Sequence, residues 1–269
     1  MSEHLSAPAV LVFAGLDPSG GAGLAADVLA IAAQGAHALP VATALTAQDN
    51  NRVHAVQPVD AGFVLAQARA LSDTCDIRAV KLGIPGSRAN ARAIAGLLRE
   101  LRARHPGLPV VLDPVLASGH GDALAEDDPV ETVGELLALA TVALPNEPEA
   151  CAIGDFPCEH LLLTGGHGNR RFVENRWYTH GQLVRRWRWP RLPGEFHGSG
   201  CTLAASLAGR LALGEPMDAA LGAAQAYCHD ALARAFAIAP GQRIPRRIFI
   251  THTLKEDHAR PIPDHAELE

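Results

Sequence analysis

The feature that most constrains this chain is a series of short, unbroken apolar runs, each followed at once by glycine or polar residues. Residues 9–14 read Ala-Val-Leu-Val-Phe-Ala, and a glycine-rich turn runs from Gly15 to Gly23. An alanine-rich stretch with helical spacing then extends to about Gln34. Further apolar runs stand at 39–44, 77–82, 109–112, 141–144 and 160–163, and helical spacing occupies 61–73, 87–104 and 129–139. A half-exposed strand alternates apolar and polar residues. Continuous apolar runs mean that both faces are covered, as in a parallel sheet between helix layers. In such sheets ligands bind beyond the carboxyl ends of the strands, and this is where the chain places its polar segments, such as 46–51.

The later chain changes character. Residues 171–178 and 182–189 read as a β-hairpin around His180-Gly181, and two helices are expected over about 199–213 and 216–238. From about 240 the sequence is polar, with Pro245, Pro261 and Pro263, so loose packing is expected there. With no internal repeat and no low-complexity linker, residues 1–269 are expected to form a single domain. The expected fold class is α/β: a doubly wound sandwich, with a mostly parallel central sheet and helices on both faces.

Composition narrows the function classes. A formal net charge of −6 argues against a general nucleic-acid binder. The segment Arg185-Arg186-Trp187-Arg188-Trp189 alternates basic and aromatic residues, but strand geometry puts Arg186 and Arg188 on one face and both tryptophans on the other, as in a half-buried edge strand. The five scattered cysteines are expected to be free thiols in a reducing compartment. Neither a membrane span nor a signal peptide is apparent, so no membrane partner and a cytoplasmic location are expected. Lysine occurs only at 81 and 255.

Several segments carry chemistry. Gly198-Ser199-Gly200-Cys201-Thr202 opens a helix, whose free N–H groups and dipole suit a phosphate. Cys201 stands in its first turn, where a thiol pKa tends to fall; the plain alternative is a helix start with a buried cysteine. The loop Gly15 to Gly23 has three glycines in four positions, with Asp27 one turn into the helix. It matches neither the dinucleotide fingerprint nor a Walker loop, and a tight strand-to-helix turn also explains it. Asp113-Pro114 and Asn146-Glu147-Pro148-Glu149 end two strands, where carboxylates can hold Mg²⁺; Asn146 and Glu149 also suit a capping box. Thr164-Gly165-Gly166-His167 ends another strand, beside a nucleotide or simply in a turn. Lys81 ends a strand in either a structural or a site role.

These segments, in this order from about Leu11 to Tyr227, resemble the hydroxymethylpyrimidine/phosphomethylpyrimidine kinases of thiamin biosynthesis, of the ribokinase-like superfamily. The motifs are Ala14 to Gly23 with Ala26-Asp27, Thr43 to Gln48, Ala79 to Gly83, Val111 to Val115, Pro145 to Ala150, and His197 to Leu203. The resemblance implies ATP and Mg²⁺, a small pyrimidine substrate and a homodimer. Asp27 and Gln48 would bond the aminopyrimidine beside the Gly15 backbone, with Lys81 in the substrate site. Cys201 would be the base, and Gly198, Ser199 and Gly200 the anion hole. Asp113 and Glu149 would serve the metal, and Asn146, Thr164, Gly166 and Thr202 the ATP side. The chain departs from the family pattern at Thr164, where a lysine is usual unless Arg170 or Arg171 replaces it. It is also short from Ala150 to His160. Alternative readings are a pyridoxine or pyridoxal kinase and a non-catalytic pyrimidine-binding protein.

Overall fold

The computed structural model describes residues 7–125, 127–166 and 171–249. The order of elements begins β1 (Ala9–Leu16), α1 (Gly23–Ala33), β2 (His37–Gln48), β3 (Val53–Pro58), α2 (Ala61–Ser72), β4 (Ile77–Leu82) and α3 (Arg88–Arg104). It continues with β5 (Val110–Leu112), α4 (Pro129–Leu137), β6 (Val142–Ala143), α5 (Glu147–Ile153), β7 (His160–Leu163), β8 (Phe172–Thr179), β9 (Gln182–Pro190), α6 (Ser199–Ala212) and α7 (Met217–Ala233).

The nine strands form one sheet in the order β3-β2-β1-β4-β5-β6-β7-β8-β9. The pairs from β2 to β7 are parallel; β3 joins β2 and the β8–β9 hairpin joins β7 antiparallel. This is the doubly wound sandwich expected from the apolar runs. The first strand shows why those runs are continuous. Leu11 and Phe13 enter a core with Ile94, Leu98 and Leu101 of α3, while Val10 and Val12 enter a second core with Ile31 of α1 and Leu207 and Leu211 of α6. Helices α2, α3 and α4 therefore cover one face, and α1, α6 and α7 the other. Each fully buried leucine or isoleucine contributes at most about 1.5–3 kcal/mol of transfer free energy.

The strand order reverses between β1 and β4, which lie side by side although their helices pack on opposite faces. That switch opens a crevice at the strand ends. Asn90 of α3 braces its rim. It is fully buried, and its Nδ2 reaches the carbonyls of Thr43, Val59 and Pro85 at 3.1, 3.0 and 2.9 Å.

Three local expectations change, and one, the capping box, is met. The polar segment after the second strand is shorter than 46–51, because β2 continues to Gln48 and pairs with β3, an edge strand whose apolar pattern is too weak to read. The capping box at Asn146 and Glu149 begins the short helix α5, none of whose residues is buried. Helix α7 stops at Ala233 rather than near 238. Residues 240–249 are not loose: Gln242, Ile244 and Arg247 are buried, and the carbonyls of Pro240 and Gln242 accept hydrogen bonds from Asn50. The sequence from 250 onward lies outside the described residues. The hairpin lies as expected, with Trp187 and Trp189 half-buried while Arg185 pairs with Asp218 and Arg188 with Glu174. All five cysteines are free.

Replacing Asn90 by alanine leaves buried carbonyls without their donor. The expected loss of stability is about 2–3 kcal/mol in urea unfolding, and a loss below about 0.5 kcal/mol would show that the brace is dispensable.

Candidate active site

One cavity of about 700 Å³ lies along the carboxyl ends of the strands. That is within the range of small-ligand sites. Gly15, Gln48, Lys81, Asp113, Asn146, Glu149, Thr164, Gly166, Gly198, Ser199, Gly200 and Cys201 all line it. The strand order spreads them in sequence. Gly15 and Gln48 stand at the β1–β2 end, Asn146, Thr164 and Gly166 at the β6–β7 end, and Lys81, Asp113 and the start of α6 between. Asp27 and Thr202 do not line it; both are fully buried one layer behind.

The centre is a buried charge cluster. Lys81 Nζ donates to Asp27 Oδ2 at 2.8 Å, and neither side chain has any exposure. Burial pushes the Asp27 carboxyl up to about 6 against the pull of Lys81. Burial works against the Lys81 charge too, but Asp27, Cys201 and Asp113 outweigh it and hold Lys81 above the ordinary lysine range. Both partners are therefore ionised at neutral pH. Asp27 Oδ1 has no hydrogen-bond partner.

The start of α6 is built by close approach of two glycine segments. Gly198 has φ 76°, and a Cβ there would stand 2.1 Å from the Gly21 carbonyl oxygen, so only glycine fits. No side chain caps the helix, which leaves the N–H groups of its first turn without intrahelical partners. Asp17, given no role by the sequence, organises the other segment. It accepts from Ser19 N at 2.8 Å, Ser19 Oγ at 2.9 Å and Ala22 N at 2.8 Å. His197 Nε2 lies 2.7 Å from Asp17 Oδ2 and must be the donor, since an ionised carboxylate only accepts. Burial raises the Asp17 carboxyl, but the bonds from His197 and Ser19 overcome this and hold it below its usual range. One contact thus ties the β1 loop to the α6 loop.

Cys201 differs from the expectation of a lowered thiol. Burial pushes it up to about 12; Lys81 opposes that, while Asp113 and Asp27 add to it. Burial likewise raises its neighbour Asp113, against the pull of Lys81 and Cys201. The helix start does not rescue the thiolate because desolvation is the larger effect.

Asp113 and Glu149 bring two carboxyl groups to the cavity. Asp113 is 4% exposed, and its Oδ2 is buried without a hydrogen-bond partner. Burial, then the neighbouring Asp113 charge, pushes Glu149 up to about 7. Two carboxyls short of positive charge, one with an orphaned oxygen, fit a hard cation. Among the described residues no group of three or more His, Cys, Asp and Glu side chains could hold a metal ion. Oxygens of a bound phosphate and water would have to complete the shell. Glu149 Oε2 also accepts from Asn146 N at 2.9 Å, so the capping role exists as well.

Thr164 turns its hydroxyl to the Pro145 carbonyl at 3.3 Å. Arg171 is exposed and does not line the cavity, and Arg170 lies outside the described residues, as does His167. The cation beside this loop is Arg191, which lines the cavity and donates to the Gly166 carbonyl at 2.8 Å. The sequence reading missed it because it follows the hairpin rather than any motif. At the same end Asn175 Nδ2 donates to Gln225 Oε1 at 2.9 Å, and Trp189 stacks on His229 with ring centres 5.3 Å apart.

The chain has relatives among known proteins. The family model described as phosphomethylpyrimidine kinase matches residues 17–161 and 152–245. The chain is 36% identical over 252 residues to the hydroxymethylpyrimidine/phosphomethylpyrimidine kinase of Rhizobium meliloti, covering 86% of this chain and 93% of that protein. It is 34% identical over 259 residues to a thiamine biosynthesis multifunctional protein of Corynebacterium efficiens, covering 89% of this chain but spanning only 34% of that protein's length. Its fold resembles that of an ADP complex of Bacillus subtilis pyridoxal kinase, with a TM-score of 0.78 over 90% of this chain and 98% of that one. At 24% identity that likeness shows the fold alone, a ribokinase-like sandwich. By its sequence match over most of its length, the chain belongs to the phosphomethylpyrimidine kinase family.

Proposed function

We propose that the protein transfers the γ-phosphoryl group of ATP to the hydroxymethyl oxygen of 4-amino-5-hydroxymethyl-2-methylpyrimidine, and to the resulting monophosphate, in thiamin biosynthesis. One observation carries the reading: a single cavity joins the Gly15–Gln48 end to the acidic pair Asp113 and Glu149 across the open start of α6. Membership of the family supplies the substrate class. Gln48 and the Gly15 backbone meet the aminopyrimidine, and Asp27 acts through Lys81. ATP lies toward Asn146, Thr164 and Gly166, its base near the buried Asn175–Gln225 pair and Trp189. Thr202 serves from behind by holding the helix start, since its Oγ1 donates to the Gly198 carbonyl at 2.7 Å.

The transfer itself is mostly positioning and electrostatics. The hydroxymethyl oxygen attacks the γ-phosphorus in line as the bond to the β-phosphate oxygen breaks, and ADP leaves. Ser199, Gly200 and Cys201 N–H groups take the charge on the transferring group. A thiol that starts protonated accepts the substrate's proton only by giving up its own. The Asp113 carboxyl, which lines the cavity with Cys201, is the acceptor at hand. Asp113 and Glu149 would hold Mg²⁺, which when bound neutralises phosphate charge. A homodimer in the cytoplasm belongs to the same reading; among the described residues no helix is long and apolar enough to cross a membrane.

An assay coupled to ADP release compares substrates. The pyrimidine is expected to exceed pyridoxal by about tenfold or more in kcat/KM. Turnover of the pyridine compound alone would overturn the assignment. Calorimetric binding of the pyrimidine without ADP release at saturating Mg·ATP would mark a binding protein instead.

Cys201→Ala is expected to lower kcat by about 10² with little change in pyrimidine binding. An unchanged kcat would remove the proton-accepting role while leaving the kinase reading intact.

A further inference from the structure

We infer that Arg247 is a positioning residue for phosphoryl transfer, its guanidinium holding both glycine segments from behind so that the first N–H groups of α6 face the cavity. The inference rests on the kinase reading above and deepens it. Arg247 lies two residues beyond the family match, which ends at 245.

The side chain is 2% exposed. Its Nε donates to Thr202 Oγ1 at 2.9 Å, Nη1 to the Gly20 carbonyl at 3.4 Å, and Nη2 to the carbonyls of Gly21 and, at 3.4 Å, Gly198. One planar group thus gathers acceptors from the β1 loop and from the start of α6, at the place where Asp17 and His197 join the same segments from another side. A trans peptide directs its C=O and N–H in opposite directions. With the Gly198 oxygen held by Arg247 and Thr202, the N–H of Ser199 points away from them, and Ser199 lines the cavity.

The fork is itself anchored. Tyr227 Oη donates to the Arg247 carbonyl at 2.8 Å, and Arg246 N to the Ala231 carbonyl at 3.0 Å. Both anchors belong to α7, so the guanidinium is fixed to the helix layer rather than to the loops it holds. It also places a second buried cation behind the anion-binding end, with Lys81 the first. Preorganised donors and charge in a dry site act most strongly on the transition state. A residue that orders them should therefore affect kcat more than pyrimidine affinity.

The test uses the full chain and three proteins: wild type, Arg247→Ala and Arg247→Lys. For Arg247→Ala, kcat is expected to fall by about 10², while calorimetric pyrimidine affinity stays within about threefold. Methylguanidinium added to this variant is expected to restore kcat by about tenfold, because it refills the fork. An unchanged kcat, or parallel loss of kcat and pyrimidine affinity without rescue, would overturn the inference. Should Arg247→Ala not fold, Arg247→Lys decides. It keeps charge and bulk but loses the fork, so kcat is expected to drop by about tenfold, and a wild-type kcat would overturn the proposal. Mg·ATP affinity is measured in parallel. If wild type fails to phosphorylate the pyrimidine, the substrate reading falls, and the clamp is then judged by ATP binding alone: about tenfold weakening in the variants supports it, and equal affinity overturns it.

Discussion

Everything at the strand ends is arranged around one buried ion pair, Lys81 of β4 with Asp27 of α1. Neither side chain touches solvent, so each has lost its hydration. Such pairs seldom repay that cost in stability, and well-packed apolar residues often do better. The neighbours explain its presence better than the fold does. Asp113 and Cys201 sit within the field of Lys81, and without that ammonium three acidic groups would be buried together. Lys81 is the only lysine among the described residues, and it stands where the strand order reverses.

The second constraint is steric. The β1 loop and the start of α6 touch backbone to backbone, as at Gly198, where a Cβ would come 2.1 Å from the Gly21 carbonyl oxygen. Asp17–His197 and Arg247 close this contact from two sides. The open start of α6 is therefore a property of two distant segments held together, not of one helix. Its support includes residues outside the cavity lining, Thr202 and Arg247 among them.

The sequence makes the parallel sheet legible because burial on both faces leaves continuous apolar runs, as at residues 9–14. Most of the cavity lining is legible because strand ends and glycine segments mark it. What is hidden has definite physical reasons. β3 lies at an edge and is only half covered, so its pattern is faint. Asp27 is read as a lining residue, but a carboxylate one helical turn beyond a glycine loop can face outward, toward a ligand or into the core; only tertiary placement puts it against Lys81. The raised Cys201 pKa depends on burial by segments distant in sequence, whereas position in the helix suggests the opposite shift. Arg247 and Arg191 sit outside every motif, in stretches whose composition reads as surface.

A mutant cycle on the ion pair tests the central claim, that the pair serves the site more than the fold. Lys81→Met, Asp27→Leu and the double variant are compared in urea unfolding and in pyrimidine turnover. Each single change should cost about 3–5 kcal/mol by leaving a buried charge unpaired, and the double variant should return to within about 2 kcal/mol of wild type. Its turnover should stay about 10² or more below wild type. A double variant that recovers wild-type turnover, or whose stability losses simply add, would contradict the account.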